Sequence, residues 1–342
     1  MYQEFYGLRA KPFSLLPDPK YLYLSKKHDV AKSMLEYAVT GDLGLSVVTG
    51  EVGSGKTTLV RQLINQLADT VTVGLISNTH RDVDNLMQFV AMAYGLPFKG
   101  RDKVELHHDF TEFLIEEYAA GRRTLLIVDE AQNLDAPALE EIRLLTNINS
   151  DDHTVLQLML VGQPELHDLL KRHDLRQLAQ RIGVIAKLEP LDEKETAAYV
   201  HHRLSVAGGD PKIFHKNALR LIYWNSGGIP RVINTLCELA LVYGFADQKQ
   251  RIDAVMIADI ARDRIDTGIY GNQVFDVQTL KSEDATRKAE RDRMREENNR
   301  LAEEPAAIAA SDIKLVESRN NNVCDVIVDG SAVDDIQIKK LG

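Results

Sequence analysis

The sequence predicts an α/β core built on a parallel sheet, followed by an all-helical unit and a small C-terminal tail, first charged and then β-prone. Three observations lead there. A short apolar run, Leu45–Thr49, meets a glycine-rich turn and then an apolar-periodic segment, Thr57–Ile64, which is the strand–loop–helix order of a parallel unit. Further apolar runs alternate with helical patterns as far as residue 188. From Asp192 the strands stop and four helical patterns succeed one another.

The elements justify themselves in order. Residues 1–40 read as an arm rich in aromatic residues and prolines, and residues 41–191 as the α/β core. Within the core, strands are expected at 45–49, 72–77, 123–128, 155–162 and 184–188, with helices near 57–64, 83–94 and 105–120. Arg123–Val128 is apolar without interruption after its first two residues, as suits a strand covered on both faces. Residues 192–268 carry helical patterns at Glu193–Val206, Lys216–Asn225, Arg231–Phe245 and Ala254–Ile265. Gly208-Gly209-Asp210-Pro211 and Ser226-Gly227-Gly228-Ile229-Pro230 are the loops between them. Residues 269–310 read as a linker in which Lys281–Glu304 is densely charged. Leu280, Met294 and Leu301 make too sparse a seam for a coiled coil, so a solvated helix or partly disordered linker is expected. In residues 311–342, alternation at 312–315, 325–328 and 335–338 suggests short strands; alone they would be marginal, so they are expected to dock on something.

Composition narrows the class. The 342 residues carry a net charge of −10, which argues against a broadly basic nucleic-acid binder but leaves a local basic face open. Cys237 and Cys324 lie too far apart in sequence to suggest a disulfide framework. No run of about 18 apolar residues is present, and Met1–Leu8 lacks the charged and apolar regions of a secretory signal. A cytoplasmic location is expected, with peripheral attachment at the inner membrane left open. The pairs His107-His108 and His201-His202 have no structural-zinc spacing and read as surface or core residues.

The glycine-rich turn carries the chemistry. Gly50-Glu51-Val52-Gly53-Ser54-Gly55-Lys56-Thr57 fits the phosphate-binding pattern G-x-x-x-x-G-K-[ST] completely. Glycines let backbone N–H groups turn toward phosphate oxygens, and the helix that follows adds a field favourable to anions. Lys56 is expected to reach the β and γ phosphates of a nucleotide and the Thr57 hydroxyl to ligate Mg²⁺, with Thr58 completing the loop. Asp129 and Glu130 end the apolar run at 123–128, on a strand expected beside the phosphate loop. Asp129 is assigned to Mg²⁺, and Glu130 to orienting or deprotonating the attacking water. That pair points to hydrolysis rather than storage of a nucleotide. Arg176 and Arg181, five apart on an expected helix, are candidates for an arginine that stabilises the transferred phosphoryl group, one facing a neighbouring subunit and one packing locally. Arg231, at the start of a helix opened by Pro230, is placed to couple the helical unit to the γ phosphate. Gln163, after the fourth strand, either senses that phosphate or caps the strand. The aromatic and proline residues of the arm, Phe5, Tyr6, Phe13, Pro17, Pro19 and Tyr21, form either a wall around the adenine or a packed extension.

Four segments together resemble the general-secretion-pathway protein A family of AAA+ ATPases. They are Phe5–Leu8 with Pro12-Phe13 and Pro17-Asp18-Pro19, Thr49–Thr58, Val128–Leu134 and Val161–Leu166. The likeness covers roughly residues 1–268 and extends to the exosortase-associated secretion ATPases and the ATPases of pilus biogenesis loci. The resemblance implies an AAA+ core with a helical lid, ATP as the nucleotide, an oligomeric ring or arc, and the roles given above for Lys56, Thr57, Asp129, Glu130 and Arg231. It implies a motor or switch for secretion, or for envelope or exopolysaccharide assembly. Transposon target-selection ATPases share this core, so a DNA-associated ATPase is the alternative. Secretion-pathway members often continue into a membrane span and a peptidoglycan-binding domain; nothing after Ile269 resembles either. The tail is therefore expected to dock on a protein partner at the inner membrane.

Overall fold

The apolar runs assemble into one five-stranded sheet. Its strands are β1 (Leu45–Gly50), β2 (Val71–Ile76), β3 (Arg123–Val128), β4 (Leu156–Gly162) and β5 (Ile182–Leu188), all parallel in the order β2-β3-β4-β1-β5. The computed structural model describes residues 1–16, 18–41, 43–67, 70–77, 86–148, 154–266 and 275–294. Each strand expected in the core is present. One neighbour relation differs from expectation: β3 is not beside β1. β4 stands between them, pairing Val48 with Val161 on one side and Ile127 with Met159 on the other. The chain leaves β1 for β2 at the far edge and returns, so the strand order reverses around β1, where open α/β sheets bind ligands at their C-terminal ends.

Helices cover both faces, which is why β1, β3 and β4 are apolar on alternate and intervening residues alike. On one face α2 (Lys26–Thr40) and α3 (Lys56–Leu67) bury Leu35, Val39, Leu59 and Leu63 against Val48, Ile127 and Val161. On the other, α4 (Leu86–Ala93), α5 (Lys103–Ala119), α6 (Ala136–Leu145) and α7 (Pro164–Leu170) pack Val90, Phe110, Ile142 and Leu166 against Val47, Leu126 and Leu158. The sequence reading did not assign α2 or α6. Ser25 caps α2, with its side chain taking the His28 N–H, and the buried stripe Ala31, Leu35, Ala38, Val39 has helical spacing. Small residues make that stripe weakly apolar.

Beyond the sheet, α9 (Glu193–Val206), α10 (Lys216–Ser226), α11 (Pro230–Ala246) and α12 (Ala254–Asp266) enclose a separate core around Val200, Leu221, Ile233 and Ile257. Tyr2, Tyr6, Leu8 and Phe13 of the N-terminal segment join this helical core. Tyr6 donates to the Lys249 carbonyl at 2.8 Å, and Tyr2 to Glu238 at 2.7 Å. The first 40 residues thus divide between a strap on the helical unit and a helix on the sheet.

Arg176 and Arg181 do not share a helix. Arg176 opens the short α8 (Arg176–Ala179), and Arg181 lies beyond its C-terminus at the entry to β5. The chain forms two units, Met1–Leu280 and Lys281–Gly342. In the first unit residues 277–280 are helical; in the second, residues 281–294 are helical and almost wholly exposed. The short strands expected at 312–315, 325–328 and 335–338, and the charged segment after 294, lie outside the described residues. Among the described residues, no helix is long and apolar enough to cross a membrane.

Candidate active site

The loop between β1 and α3 forms a cradle. Gly53 and Gly55 have φ of 82° and 101°, conformations that only glycine adopts readily. A Cβ on Gly53 would also collide with the Arg231 side chain. The Ser54 hydroxyl is buried in the loop and has no hydrogen-bond partner among the described residues. Lys56 folds back over its own loop, donating to the carbonyls of Gly50 at 2.7 Å and Glu51 at 3.1 Å. Burial lowers its pKa, opposed by the nearby carboxylates of Glu130 and Asp129.

Asp129 follows β3 directly and extends its pairing with β2, its N–H donating to the Ile76 carbonyl at 2.8 Å. Its Oδ2 lies 3.4 Å from the Thr57 hydroxyl, so the side-chain pair bridges across the end of the intervening β4. Burial raises the Asp129 pKa. Glu130 leaves the strand through a left-handed backbone with φ of 54°. Among the described residues two amides hold its carboxylate: Gln132 Nε2 at 2.6 Å and Gln163 Nε2 at 3.2 Å. The hydrogen bond from Gln132, followed by that from Gln163 and the charge of Lys56, keeps Glu130 below the usual carboxylate range against the effect of burial.

A cavity of about 250 Å³ opens above this cradle. Val52 to Thr58 and Glu130 form its floor, Arg231 and Asn234 of α11 one wall, and Leu16, Tyr21 and Tyr23 of the N-terminal segment another. Of the arm, Ser14 to Leu16, Asp18 and Tyr21 to Tyr23 therefore face the cavity while Tyr2, Tyr6 and Phe13 are packed in the helical core. Gln163 stands at the C-terminal end of β4, between the strands that carry the loop and the carboxylates. Arg231 approaches through both backbone and side chain, its N–H donating to the Gly53 carbonyl at 3.2 Å. Neither Arg176 nor Arg181 lines the cavity. Arg181 donates to the Thr146 hydroxyl, whereas the exposed Arg176 guanidinium has no partner among the described residues.

Three residues at the site escaped the sequence reading. Gln132 lies two residues after Glu130, where only its contacts show its place. His28 of α2 is buried and lines the cavity; it pairs with Ser25 at 2.8 Å and reaches toward the Ser54 carbonyl at 3.4 Å. The Ser25-to-His28 cap could have revealed α2, though not its contact with the loop. Arg203 of α9 is buried with neutral acceptors, donating to the Pro12 carbonyl at 2.6 Å and the Tyr199 hydroxyl at 2.7 Å. Its guanidinium lies 4.9 Å from the Tyr21 ring centroid.

Residues 40–170 match the AAA domain family. Over 253 residues the chain is 42% identical to general secretion pathway protein A of Aeromonas hydrophila, spanning 74% of this chain and 46% of that protein. The chain belongs to the AAA+ ATPases of general secretion pathway protein A type. It spans about half the length of that relative. It is also 25% identical over 202 residues to the Mu-like prophage FluMu DNA transposition protein B of Haemophilus influenzae, covering 58% of this chain and 65% of the other. The fold is shared with the Aeropyrum pernix ORC2 protein, solved in ADPNP-ADP complexes, at a TM-score of 0.57 and 16% identity over 74% of this chain and 71% of that one. Arg231 is a contact through which the helical unit α9 to α12 meets the phosphate loop.

Proposed function

We propose that this protein binds ATP with Mg²⁺ and hydrolyses it, working as an oligomeric motor or switch for secretion or envelope assembly. The observation that carries the reading is the Glu130 carboxylate, kept ionised and held by two amides at the edge of the phosphate cradle. A nucleotide store has no use for such a group. The residues present fit the ligand. The unpartnered Ser54 hydroxyl, the glycine backbone and Lys56 offer donors to phosphate oxygens, and Thr57 with Asp129 offers hard oxygen atoms suited to Mg²⁺. Bound Mg²⁺ would neutralise charge on the β and γ phosphoryl oxygens.

Within that frame each side chain has a task. Lys56 exchanges its loop carbonyls for phosphate oxygens. Glu130 orients water and accepts its proton; its pKa, held below the usual carboxylate range, keeps it ionised and a hydrogen-bond acceptor at neutral pH. Gln163 stands where an amide can follow the γ phosphate. Arg231 ties lid position to the loop. Arg176, exposed and unpaired, is the arginine assigned to a neighbouring subunit's site, and Arg181 the one that packs locally. The secretion role follows the likeness to general secretion pathway protein A, with a partner at the inner membrane reached through the tail. The transposition-type relative supports a second reading, a DNA-associated ATPase; binding of DNA that weakens steeply with salt would favour it.

Steady-state ATP hydrolysis against protein concentration tests the main reading, using the native chain, Glu130→Gln, Arg176→Ala and Arg181→Ala. The expected result is a specific activity that climbs with concentration, is abolished by Glu130→Gln and falls about 10³-fold in Arg176→Ala, the lower end for a supplied arginine. A flat, very low rate unaltered in all the variants would sink the motor and leave a nucleotide-dependent binding module.

A further inference from the structure

The two amides that hold Glu130 are not equivalent. Gln163 Nε2 belongs to a side chain at the end of β4 and reaches Glu130 Oε2 at 3.2 Å. Gln132 Nε2 reaches the same oxygen at 2.6 Å, while its Oε1 accepts the Gln163 backbone N–H at 3.0 Å. Gln132 is therefore anchored to main chain at its far end, where the backbone passes from β4 into α7. Gly162, the last residue of β4, leaves the room this requires. A Cβ there would come within 2.8 Å of both Gln132 Oε1 and Leu166 Cδ2, and the Gly162 backbone is not in the left-handed region. Its glycine is needed for space rather than for conformation. The left-handed turn at Glu130 sets the direction in which its side chain leaves the chain, and Gln132 fixes where that side chain ends.

We propose that Gln132 is a positioning residue for hydrolysis: it fixes the Glu130 carboxylate to the β4–α7 junction, so the carboxylate keeps its aim when the Gln163 side chain turns to the nucleotide. This rests on the reading of Glu130 as the group that orients water. Among the described residues, the charged groups facing Glu130 are Lys56 from α3 and the adjacent Asp129, and neither contacts Gln132 through a hydrogen bond.

The test uses Gln132→Leu, which removes both hydrogen bonds, and Gln132→Glu, which keeps an acceptor for the Gln163 N–H but turns a like charge on Glu130. ATP turnover and binding of a fluorescent ATP analogue are measured on these proteins, on Glu130→Gln and on the double variant Glu130→Gln with Gln132→Leu. Turnover is expected to fall about tenfold or more in both Gln132 variants, the scale of a hydrogen bond to a charged group, with analogue affinity kept. In the Glu130→Gln background Gln132→Leu should take nothing further from the residual turnover, because the group it positions is already gone. Native turnover in either folded variant, or the same fold-loss with and without Glu130, overturns the proposal. If Glu130→Gln itself turns over at the native rate, the reading of Glu130 as the group that orients water fails instead.

Discussion

At the scale of single residues, the site places ionisable groups where burial and partners pull in opposite directions. Lys56 and His28 are both pushed toward neutrality by burial, while Glu130 is pulled toward ionisation by its amides. His28 gives the clearest consequence for stability. Its folded pKa lies below the ordinary 6.5, so the folded imidazole stays neutral where the unfolded chain already takes up a proton. Its contribution is thus complete above about pH 6.5 and is lost as pH falls through the lower folded value. Urea midpoints of the native chain and His28→Gln, followed from pH 8 down to pH 5, should diverge, the native one dropping more steeply. Parallel curves would mean that His28 is not the group concerned.

At the scale of elements, two joints hold the N-terminal strap and the lid in place. The strap depends on Arg203, whose removal leaves the Pro12 carbonyl and the Tyr199 hydroxyl without their donor. Arg203→Leu is expected to cost about 2–4 kcal/mol, from hydrogen bonds to a buried charge, and to quicken tryptic cleavage after Arg9 and Lys20. Native cleavage rates in a destabilised variant would place the loss in the lid core instead. The second joint is Gly228, between α10 and α11. It has φ of 74°, accepts the Leu191 N–H at 3.0 Å, and presses so closely on the Leu191 backbone that a Cβ would overlap it. Gly228→Ala combines a left-handed residue with a backbone clash, so a loss of about 2–5 kcal/mol is expected in chemical denaturation. Gly227→Ala, where a Cβ meets nothing within 4 Å, should lose less, about 1–2 kcal/mol from the backbone alone. Equal losses would remove the clash from the explanation.

At the scale of the whole molecule, one cavity is walled by the phosphate loop, the strap and the lid, so a ligand there stabilises contacts among all of them. MgATP at 100 times its Kd is expected to stabilise the native chain and Glu130→Gln alike by about 2.7 kcal/mol. Lys56→Ala should show little shift at the same ligand concentration. Differential scanning fluorimetry reads this directly; a native-sized shift in Lys56→Ala would separate binding from the phosphate loop.

Much of this was legible in the sequence, for physical reasons that name its limits. Local chemistry and periodicity determined the parallel sheet, the phosphate loop, the Asp129-Glu130 pair and the change to helices at Asp192, because each depends on spacing within a dozen or so residues. Arg231 was found the same way, from Pro230 beginning a helix. The weak stripe of α2 escaped because alanine contributes little to an apolar pattern, and His28 went with it. What only the tertiary structure decided depends on which strands become neighbours. The insertion of β4 between β1 and β3 brings Gln163 to Glu130, and that pairing joins residues more than 30 apart. The same insertion gives Gln132 a backbone N–H to hold, and the end of α8 before Arg181 separates the two arginines that spacing alone had left equivalent. Periodicity specifies a face of an element, whereas strand order and side-chain direction are settled only when the elements pack.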